Sequence, residues 1–307
     1  MNNKLSLVKN EISKVLRGKD EIIDMVLCAL LAGGHILLED IPGVGKTTLA
    51  VALSRSLGIN YRRMQFTPDV LPSDILGFSM YNRESNDFTF KPGAIFTNLF
   101  LADEINRTSP KTQAALLEVM EERKVTVEGT TYILKSPFFV IATQNPIGAS
   151  GTQKLPDSQL DRFFVRLTLG YPDHKSATEI LKGQSFESID SVNTVINASE
   201  LAALQEASDK THASDDICDY IVSLSEATRT TDLLLQGMSP RGSLALLKMS
   251  KAHACLSGRN YVIPEDIHAV IIPVCNHRMI LSTKAKATGK DIEAIIRETL
   301  NRVPIPV

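Results

Sequence analysis

Apolar side chains recur along this chain with two different spacings, which predict helices and strands in turn. Near the start, four apolar residues are separated by three or four positions, a spacing typical of a helix with one buried face: Leu5, Val8, Ile12 and Val15. A second helix is expected over residues 20–32, because Gly33 and Gly34 follow it and glycine commonly ends a helix. The chain is therefore expected to open with two helices.

Short apolar runs follow, each bounded by turn or polar residues, and we expect them to be strands. Segments with helical character lie between them. Strands that alternate with helices are typical of a parallel sheet covered on both faces, so the pattern predicts an α/β fold. The expected strands are residues 35–40, 61–66, 99–102, 138–143 and 164–169.

Two insertions interrupt this alternation. Residues 80–96 place polar turn residues around a short alternating piece at 88–90. Residues 124–135 form two β-rich arms around Glu128 and Gly129, which predicts a hairpin.

The chain changes character after residue 172. A length of 307 residues favours about two domains. We therefore predict an α/β domain over residues 1–172 and a smaller all-helical domain over residues 173–307. The clearest helical stretches of the second domain are residues 215–228, 240–256, 264–275 and 291–301.

Composition and charge narrow the choice of partners and compartment. The 33 basic and 35 acidic side chains leave a formal charge of -2, which does not favour binding to a polyanion. Arg62 and Arg63, on the second strand, are interpreted as edge or interface charge. The four cysteines form no Cys-x-x-Cys pair. Three of them lie in apolar or helical stretches and are expected to be buried free thiols, which fits a reducing cytosol.

Nothing in the sequence predicts insertion into a membrane. The N-terminus lacks the continuous apolar core of a signal peptide. The longest apolar stretch, around residues 25–32, is too short to cross a bilayer. We expect a soluble, cytoplasmic protein.

A glycine-rich turn between the first strand and the next helix has the composition of a phosphate-binding loop. Glycines let the backbone wrap closely around phosphate oxygens, with N–H groups pointing inward. Lys46 would reach the β- and γ-phosphates of ATP, and the Thr47 hydroxyl would coordinate Mg²⁺. Asp40 stands where the strict motif has glycine, so the motif alone does not match. The assignment depends on the strand before the loop and the helix after it. The expected loop consists of Gly43, Val44, Gly45, Lys46, Thr47 and Thr48.

Two carboxylates, Asp103 and Glu104, directly follow the apolar strand at residues 99–102. Asp103 is suited to hold Mg²⁺ through water, and Glu104 to orient and deprotonate the attacking water. Such a pair is common by chance, but here it follows the phosphate loop by about the length of two βα units. The combination predicts a P-loop enzyme that hydrolyses ATP.

Asn145 lies just beyond the next apolar strand, residues 138–143. Its amide could position the attacking water against the γ-phosphate, although an asparagine in this position is more often a turn residue. In this context we favour the functional role.

Four segments together resemble the MoxR family of AAA+ ATPases: EDIPGVGKTT, LADEINRTSPKTQAALLEVMEE, ATQNPIGASGTQKLPDSQLDRF and SPRGSLALL. The similarity covers nearly the whole chain, and residues 101–122 are its most specific part. It implies an α/β ATPase core with a helical lid. It also implies a ring, usually hexameric, with ATP at the subunit interfaces.

The resemblance assigns roles to further residues. Asn145 matches the sensor-1 position, and Arg241 matches the sensor-2 position. Gly18 is expected to contact the nucleotide. Ser239 and Pro240 would start a helix that carries Arg241 in its first turn, while a plain surface arginine is the alternative.

By the same resemblance, Arg162 matches the arginine finger, which acts on the γ-phosphate bound by a neighbouring subunit. Three alternatives stay open. Arg162 could instead form an ion pair within its own domain, with Asp161 or another acid. Arg166 or Arg107 could be the finger.

The two insertions match the helix-2 insert and the pre-sensor-1 hairpin of the wider clade, or they are ordinary loop elaborations. The match implies that they line the axial face or pore of the ring and touch a client protein. The family resemblance implies chaperone-like remodelling, often of a protein with a von Willebrand factor A domain or of a metal-dependent enzyme. A nucleic-acid translocating ring and a metal-chelatase ATPase subunit are the alternatives, and the charge balance disfavours the first.

Overall fold

The structure, a computed structural model, describes residues 2–84, 86–145, 155–172, 174–182 and 188–306. Its strands are β1 (Ile36–Glu39), β2 (Tyr61–Gln65), β3 (Gly77–Asn82), β4 (Asp87–Pro92), β5 (Leu99–Asp103), β6 (Lys124–Val127), β7 (Thr130–Ile133), β8 (Phe139–Gln144), β9 (Val165–Leu167), β10 (Leu234–Gln236) and β11 (Ile280–Leu281). Its helices are α1 (Asn2–Val15), α2 (Asp20–Leu31), α3 (Lys46–Ser56), α4 (Pro72–Leu76), α5 (Pro110–Glu122), α6 (Asp157–Leu160), α7 (His174–Leu181), α8 (Ala198–Asp209), α9 (Asp215–Arg229), α10 (Pro240–Leu256), α11 (Pro264–Cys275), α12 (Thr283–Ala287) and α13 (Ile292–Arg302).

Five parallel strands form the main sheet in the order β2-β5-β8-β1-β9. The central strands β5 and β8 consist almost entirely of buried residues, as expected for a parallel sheet with both faces covered. The register places Gln65 beside Asp103, and Leu38 beside Thr143. The predicted α/β class is therefore confirmed, and the carboxyl ends of the strands lie along one edge.

Both insertions contain antiparallel hairpins. β6 and β7 pair around Glu128 and Gly129, whose positive φ angles of 50° and 80° make the predicted turn. In the first insertion the sequence predicted only a short alternating piece at residues 88–90, but the structure has a hairpin in which β3 pairs with β4 over their full length. Phe90 of β4 stacks on Tyr132 of β7 with ring centroids 3.9 Å apart, so the two hairpins contact each other.

The C-terminal part is helical with one exception among its described residues. β10 and β11 form a small antiparallel sheet, so the prediction of an all-helical domain is wrong in this detail. Strands of two and three residues are too short to show an alternating pattern. The helices α7, α8 and α12 agree with the predicted helical character, although they were not among the stretches singled out from the sequence.

The hydrophobic core continues past the predicted domain division at residue 172. Leu246 of α10 and Val270 of α11 belong to the same buried cluster as Leu38 of β1. The division itself remains a prediction. No helix within the described ranges combines the length and apolar character needed to span a membrane.

Candidate active site

A cavity of about 360 Å³ lies at the carboxyl edge of the sheet, between the ends of β2 and β5 and the start of α3. Gly43 and Gly45 adopt φ angles of 87° and 101°, which other residues rarely adopt. A Cβ added to Gly43 would meet none of the described atoms within 4 Å, so the loop presents open backbone. The lining residues are Pro42, Gly43, Gly45, Lys46, Thr47, Thr48, Arg63, Gln65, Asp103 and Glu104.

Lys46 is the first residue of α3, and its Nζ donates to the carbonyl oxygen of Asp40 at 2.7 Å. Burial lowers the pKa of Lys46, while nearby carboxylates act in the opposite direction. Asp40 is itself buried, and its Oδ2 accepts a hydrogen bond of 2.9 Å from the backbone N–H of Gly170. The acid at the first motif position therefore joins the loop to the chain beyond β9.

Asp103, the last residue of β5, is only 8% exposed. Its Oδ1 accepts a hydrogen bond of 2.6 Å from the hydroxyl of Thr143. Its Oδ2 accepts from Arg63, at 2.6 Å from Nη2 and 3.1 Å from Nε. The carboxylate is thus held from two neighbouring strands while it lines the cavity.

Glu104 has a left-handed backbone, with φ 56° and ψ 51°. Such a conformation is uncommon and costly for a residue with a side chain, and residues of this kind cluster at turns and functional sites. The Glu104 N–H donates to the Thr143 hydroxyl at 2.9 Å, and the carboxylate accepts from Arg107 Nη1 at 2.8 Å. The chain therefore turns sharply after β5, and both acids line the same cavity.

Gly18 and Val44 were predicted to contact the nucleotide, but neither is among the described residues that line the cavity. Gly18 has a φ of 68° and joins α1 to α2. The Leu16 side chain just before it lies 3.0 Å from the position of a Cβ built on Gly45. This turn therefore packs against the loop.

Asn145 directly follows β8, at the same edge of the sheet as Asp103. Its carbonyl oxygen accepts a 3.4 Å hydrogen bond from Asn106 Nδ2, and the residue lies outside the described lining of the cavity. Residues 146–154, which carry part of the sequence resemblance, are outside the described residues.

Arg162 and Arg241 meet at a different place. Arg162 Nη1 lies 3.4 Å from Oε2 of Glu121, and Arg241 forms an ion pair with Oε1 of the same carboxylate. These three residues help to line a second cavity of about 330 Å³. Neither arginine belongs to the described lining of the cavity around Lys46. The structure brings the two predicted arginines together, but not beside Asp103 and Glu104 of the same chain.

The two alternative finger residues both contact groups of their own chain. Arg107 donates to Glu104, as described above. Arg166 lies 3.2 Å from Glu39 through Nη1 and donates through Nη2 to the carbonyl of Asn276 at 2.8 Å. An ion pair of Arg162 within the chain also exists, with Glu121 rather than with Asp161.

Sequence reasoning missed Arg63 and Thr143. Arg63 was interpreted as edge or interface charge, and β2 is indeed an edge strand, but the contact of its side chain with Asp103 in the cavity was not predicted. Arg62 behaves differently, since its Nη1 donates to the carbonyl of Gly93 at 3.2 Å. Neighbouring residues of a strand face opposite sides, so only one arginine of the pair can face the site. A polar residue near the end of the buried strand β8 was the signal for Thr143.

Comparison with known proteins agrees with this geometry. Residues 35–165 match the family described as ATPase family associated with various cellular activities (AAA), and residues 226–299 match the AAA lid domain. Chaperone MoxR1 of Mycobacterium tuberculosis is 37% identical, over 96% of this chain and 81% of its own. This chain belongs to the MoxR family of AAA+ ATPases.

Two further relatives extend over nearly the full MoxR-family chain. The uncharacterized protein YeaC of Bacillus subtilis is 48% identical over 96% of this chain and 93% of its own. The crystal structure of an ATPase candidate from Cytophaga hutchinsonii has a TM-score of 0.91 and 37% identity, covering 100% of this chain and 96% of that one. The α/β core with a helical C-terminal part is therefore a shared architecture.

The cavity of this MoxR-family chain fits a nucleotide with Mg²⁺. Lys46 and the exposed backbone of the glycine loop suit phosphate oxygens. The Thr47 hydroxyl and the Asp103 carboxylate are oxygen groups of the kind that Mg²⁺ prefers. Thr47 and Asp103 line the same cavity as the Lys46 ammonium group.

Proposed function

We propose that this protein hydrolyses ATP with Mg²⁺ and couples hydrolysis to the remodelling of a protein client. One observation carries the catalytic part: Asp103 and Glu104 line the same cavity as Lys46. Phosphoryl transfer to water requires a phosphate-binding cation, a metal ligand and a group that activates water. Residues suited to these three tasks lie together in one cavity, which supports the proposal.

Each residue has a distinct task in this mechanism. The loop at residues 43–48 binds the phosphates through its backbone, and Lys46 neutralises their charge. Thr47 and Asp103 would hold Mg²⁺, directly and through water, and the ion would neutralise charge that develops during the reaction. Glu104 accepts the proton of the attacking water. Asn145, at the adjacent strand end, orients that water, and Gly18 contacts the nucleotide behind the loop.

We assign Arg162 and Arg241 to the nucleotide of a neighbouring subunit. Their shared position on Glu121, outside the cavity of their own chain, supports this assignment. A guanidinium supplied in trans stabilises charge on the γ-phosphoryl group during transfer. The active assembly is then a ring, which we take to be hexameric. Residues 1–172 form its nucleotide-binding domain, and residues 173–307 form the lid.

The client contact is assigned to the two hairpins. β3 and β4 expose large apolar side chains that are unusual on a surface, including Phe78, Met80 and Phe88, which are 49%, 48% and 65% exposed. The relative named Chaperone MoxR1 supports a remodelling role. We propose a cytoplasmic partner that contains a von Willebrand factor A domain.

Replacing Lys46 tests the nucleotide site. We expect Lys46→Ala to weaken ATP binding by roughly 30-fold or more, because removing one partner of a desolvated charge pair costs about 2 kcal/mol or more. Isothermal titration with ATP and Mg²⁺ measures this change. Lys111→Ala, at an exposed position near the start of α5, is the matched control and should bind like the parent. Equal affinities for the Lys46→Ala and Lys111→Ala proteins would remove the basis of the proposed function.

A further inference from the structure

The guanidinium of Arg63 makes a two-pronged contact with one oxygen of Asp103. Nη2 and Nε lie 2.6 and 3.1 Å from Oδ2, and Nη2 also donates to the side-chain oxygen of Gln65 at 3.1 Å. The carboxylate of Asp103 is largely buried, with a side chain 12% exposed, whereas that of Arg63 is 46% exposed. The arginine is therefore the more exposed partner, and it contacts one of the two oxygens of the acid.

This contact involves the oxygen that remains for a metal. The other oxygen of Asp103, Oδ1, already accepts the hydrogen bond from the Thr143 hydroxyl. Oδ2 is consequently the oxygen of Asp103 to which Mg²⁺, or water bound to it, would be attracted. Arg63 and Mg²⁺ both supply positive charge, and both would do so at the same atom and in the same cavity as Thr47.

We propose that Arg63 substitutes for Mg²⁺ at Asp103, neutralising this carboxylate whenever the ion is not there and giving up Oδ2 when Mg²⁺ and ATP bind together. This inference rests on the proposed nucleotide site. Without Mg²⁺, the negative charge of Asp103 would face the phosphates of ATP across a partly desolvated cavity. Arg63 removes most of that repulsion. Arg63 is a positioning residue in this scheme, since it acts through Asp103.

The proposal predicts how the affinity for ATP changes when the Arg63 side chain is removed. In Arg63→Ala, ATP binding without Mg²⁺ weakens, because the charge of Asp103 is exposed to the phosphates. ATP binding with Mg²⁺ changes little or becomes tighter, because the ion loses a competitor for Oδ2. The ratio of the dissociation constant without Mg²⁺ to the dissociation constant with Mg²⁺ therefore rises, by about fivefold for a partly exposed charge pair.

The experiment measures the dissociation constant of a fluorescent N-methylanthraniloyl derivative of ATP, once in Mg²⁺ and once in EDTA. Arg62→Ala is the matched control, because the neighbouring arginine contacts Gly93 rather than Asp103 and its ratio should stay that of the parent. Arg63→Lys keeps the charge and should remain close to the parent. In a background of Asp103→Asn, adding Arg63→Ala should leave the affinity in EDTA unchanged.

Two results would overturn this inference alone. The first is an unchanged ratio in an Arg63→Ala protein that still binds ATP with Mg²⁺. The second is an equal loss of affinity in EDTA with Asp103 and with Asn at position 103, which would place Arg63 on the phosphates themselves. Failure of the proposed function gives a different result, in which the parent and Lys46→Ala proteins bind the nucleotide equally in both buffers.

Discussion

Thr143 determines the geometry of the acidic pair. Its hydroxyl donates to Oδ1 of Asp103 at 2.6 Å and accepts from the N–H of Glu104 at 2.9 Å. One side chain of β8 therefore positions both consecutive acids, the last residue of β5 and the residue after it. The sequence predicts Asp103 and Glu104 as site residues, because they follow an apolar strand. It does not predict their contacts with Thr143, because these depend on β8 lying beside β5 in the sheet.

Glu104→Gln separates nucleotide binding from turnover. The amide keeps the shape of the side chain but cannot accept a proton from water. We expect ATP affinity to stay within about threefold of the parent and hydrolysis to fall by roughly 10²-fold or more, the contribution typical of a general base. Phosphate release under steady-state conditions measures the second effect. Glu118→Gln, at an exposed position on α5, is the control. Unreduced hydrolysis in Glu104→Gln would exclude the assigned base.

At the level of elements, whether the sequence predicted a strand or hairpin depended on the length of its apolar run and on the residues of its turn. The buried strands β1, β5 and β8, of four, five and six residues, and the hairpin at Glu128 and Gly129 have clear signals. β3 has only a short signal, the alternation of apolar Phe78 and Met80 around Ser79, and both apolar side chains are exposed. Helix α8 had a signal that was overlooked: Asn197 and Glu200 form a capping box at its start.

The contact between the hairpins predicts coupled stability. Tyr132→Ala removes the ring that stacks on Phe90, and such aromatic pairs contribute about 0.5–1.5 kcal/mol. We expect amide hydrogens in both β3–β4 and β6–β7 to exchange about fivefold faster. Ile133→Ala is the control, because this neighbouring side chain is 83% exposed. Hydrogen exchange followed by mass spectrometry reads both hairpins. Faster exchange in β6–β7 alone would mean that the hairpins are independent.

At the level of the whole molecule, the segment that carries Arg162 is held by the C-terminal helices. Asp161 accepts hydrogen bonds from Ser239, the cap of α10, and from Arg278 beyond α11 at 2.9 Å. Arg278 is only 4% exposed, and it also donates to the Phe164 carbonyl at 3.0 Å. These contacts join residues more than seventy positions apart in the sequence; Asp161 and Ser239 are separated by 78 positions. No local pattern could predict them.

Because Ser239 also starts the helix of Arg241, the same contacts fix Arg162 and Arg241 relative to each other. Both guanidinium groups thus line one cavity formed by residues of the core and of the C-terminal helices together. A neighbour's γ-phosphate could engage both at once. Loss of either arginine should then impair the same step.

Mixed assemblies decide whether Arg162 acts across a subunit interface. Arg162→Ala should bind ATP almost normally but hydrolyse it roughly 10³-fold more slowly, the lower end of the effect of arginines supplied in trans. Its ion pair with Glu121 is too exposed to contribute more than about 1 kcal/mol to stability. Glu121→Gln breaks this pair and also the pair with Arg241, while keeping both arginines. If Arg162 had only a structural role, Arg162→Ala would lose no more melting temperature than Glu121→Gln and would keep the activity of the parent.

Combining Arg162→Ala subunits with Lys46→Ala subunits should restore part of the hydrolysis that each lacks alone. At one kind of mixed interface, the intact loop of the first subunit faces the intact Arg162 of the second. Native mass spectrometry establishes that the assemblies are mixed, and phosphate release measures the recovered rate. Recovery requires the arginine and the loop to come from different chains, since neither variant contains both. Mixed rings without recovery would contradict the assignment of Arg162 and leave Arg166 and Arg107 as the residues to test.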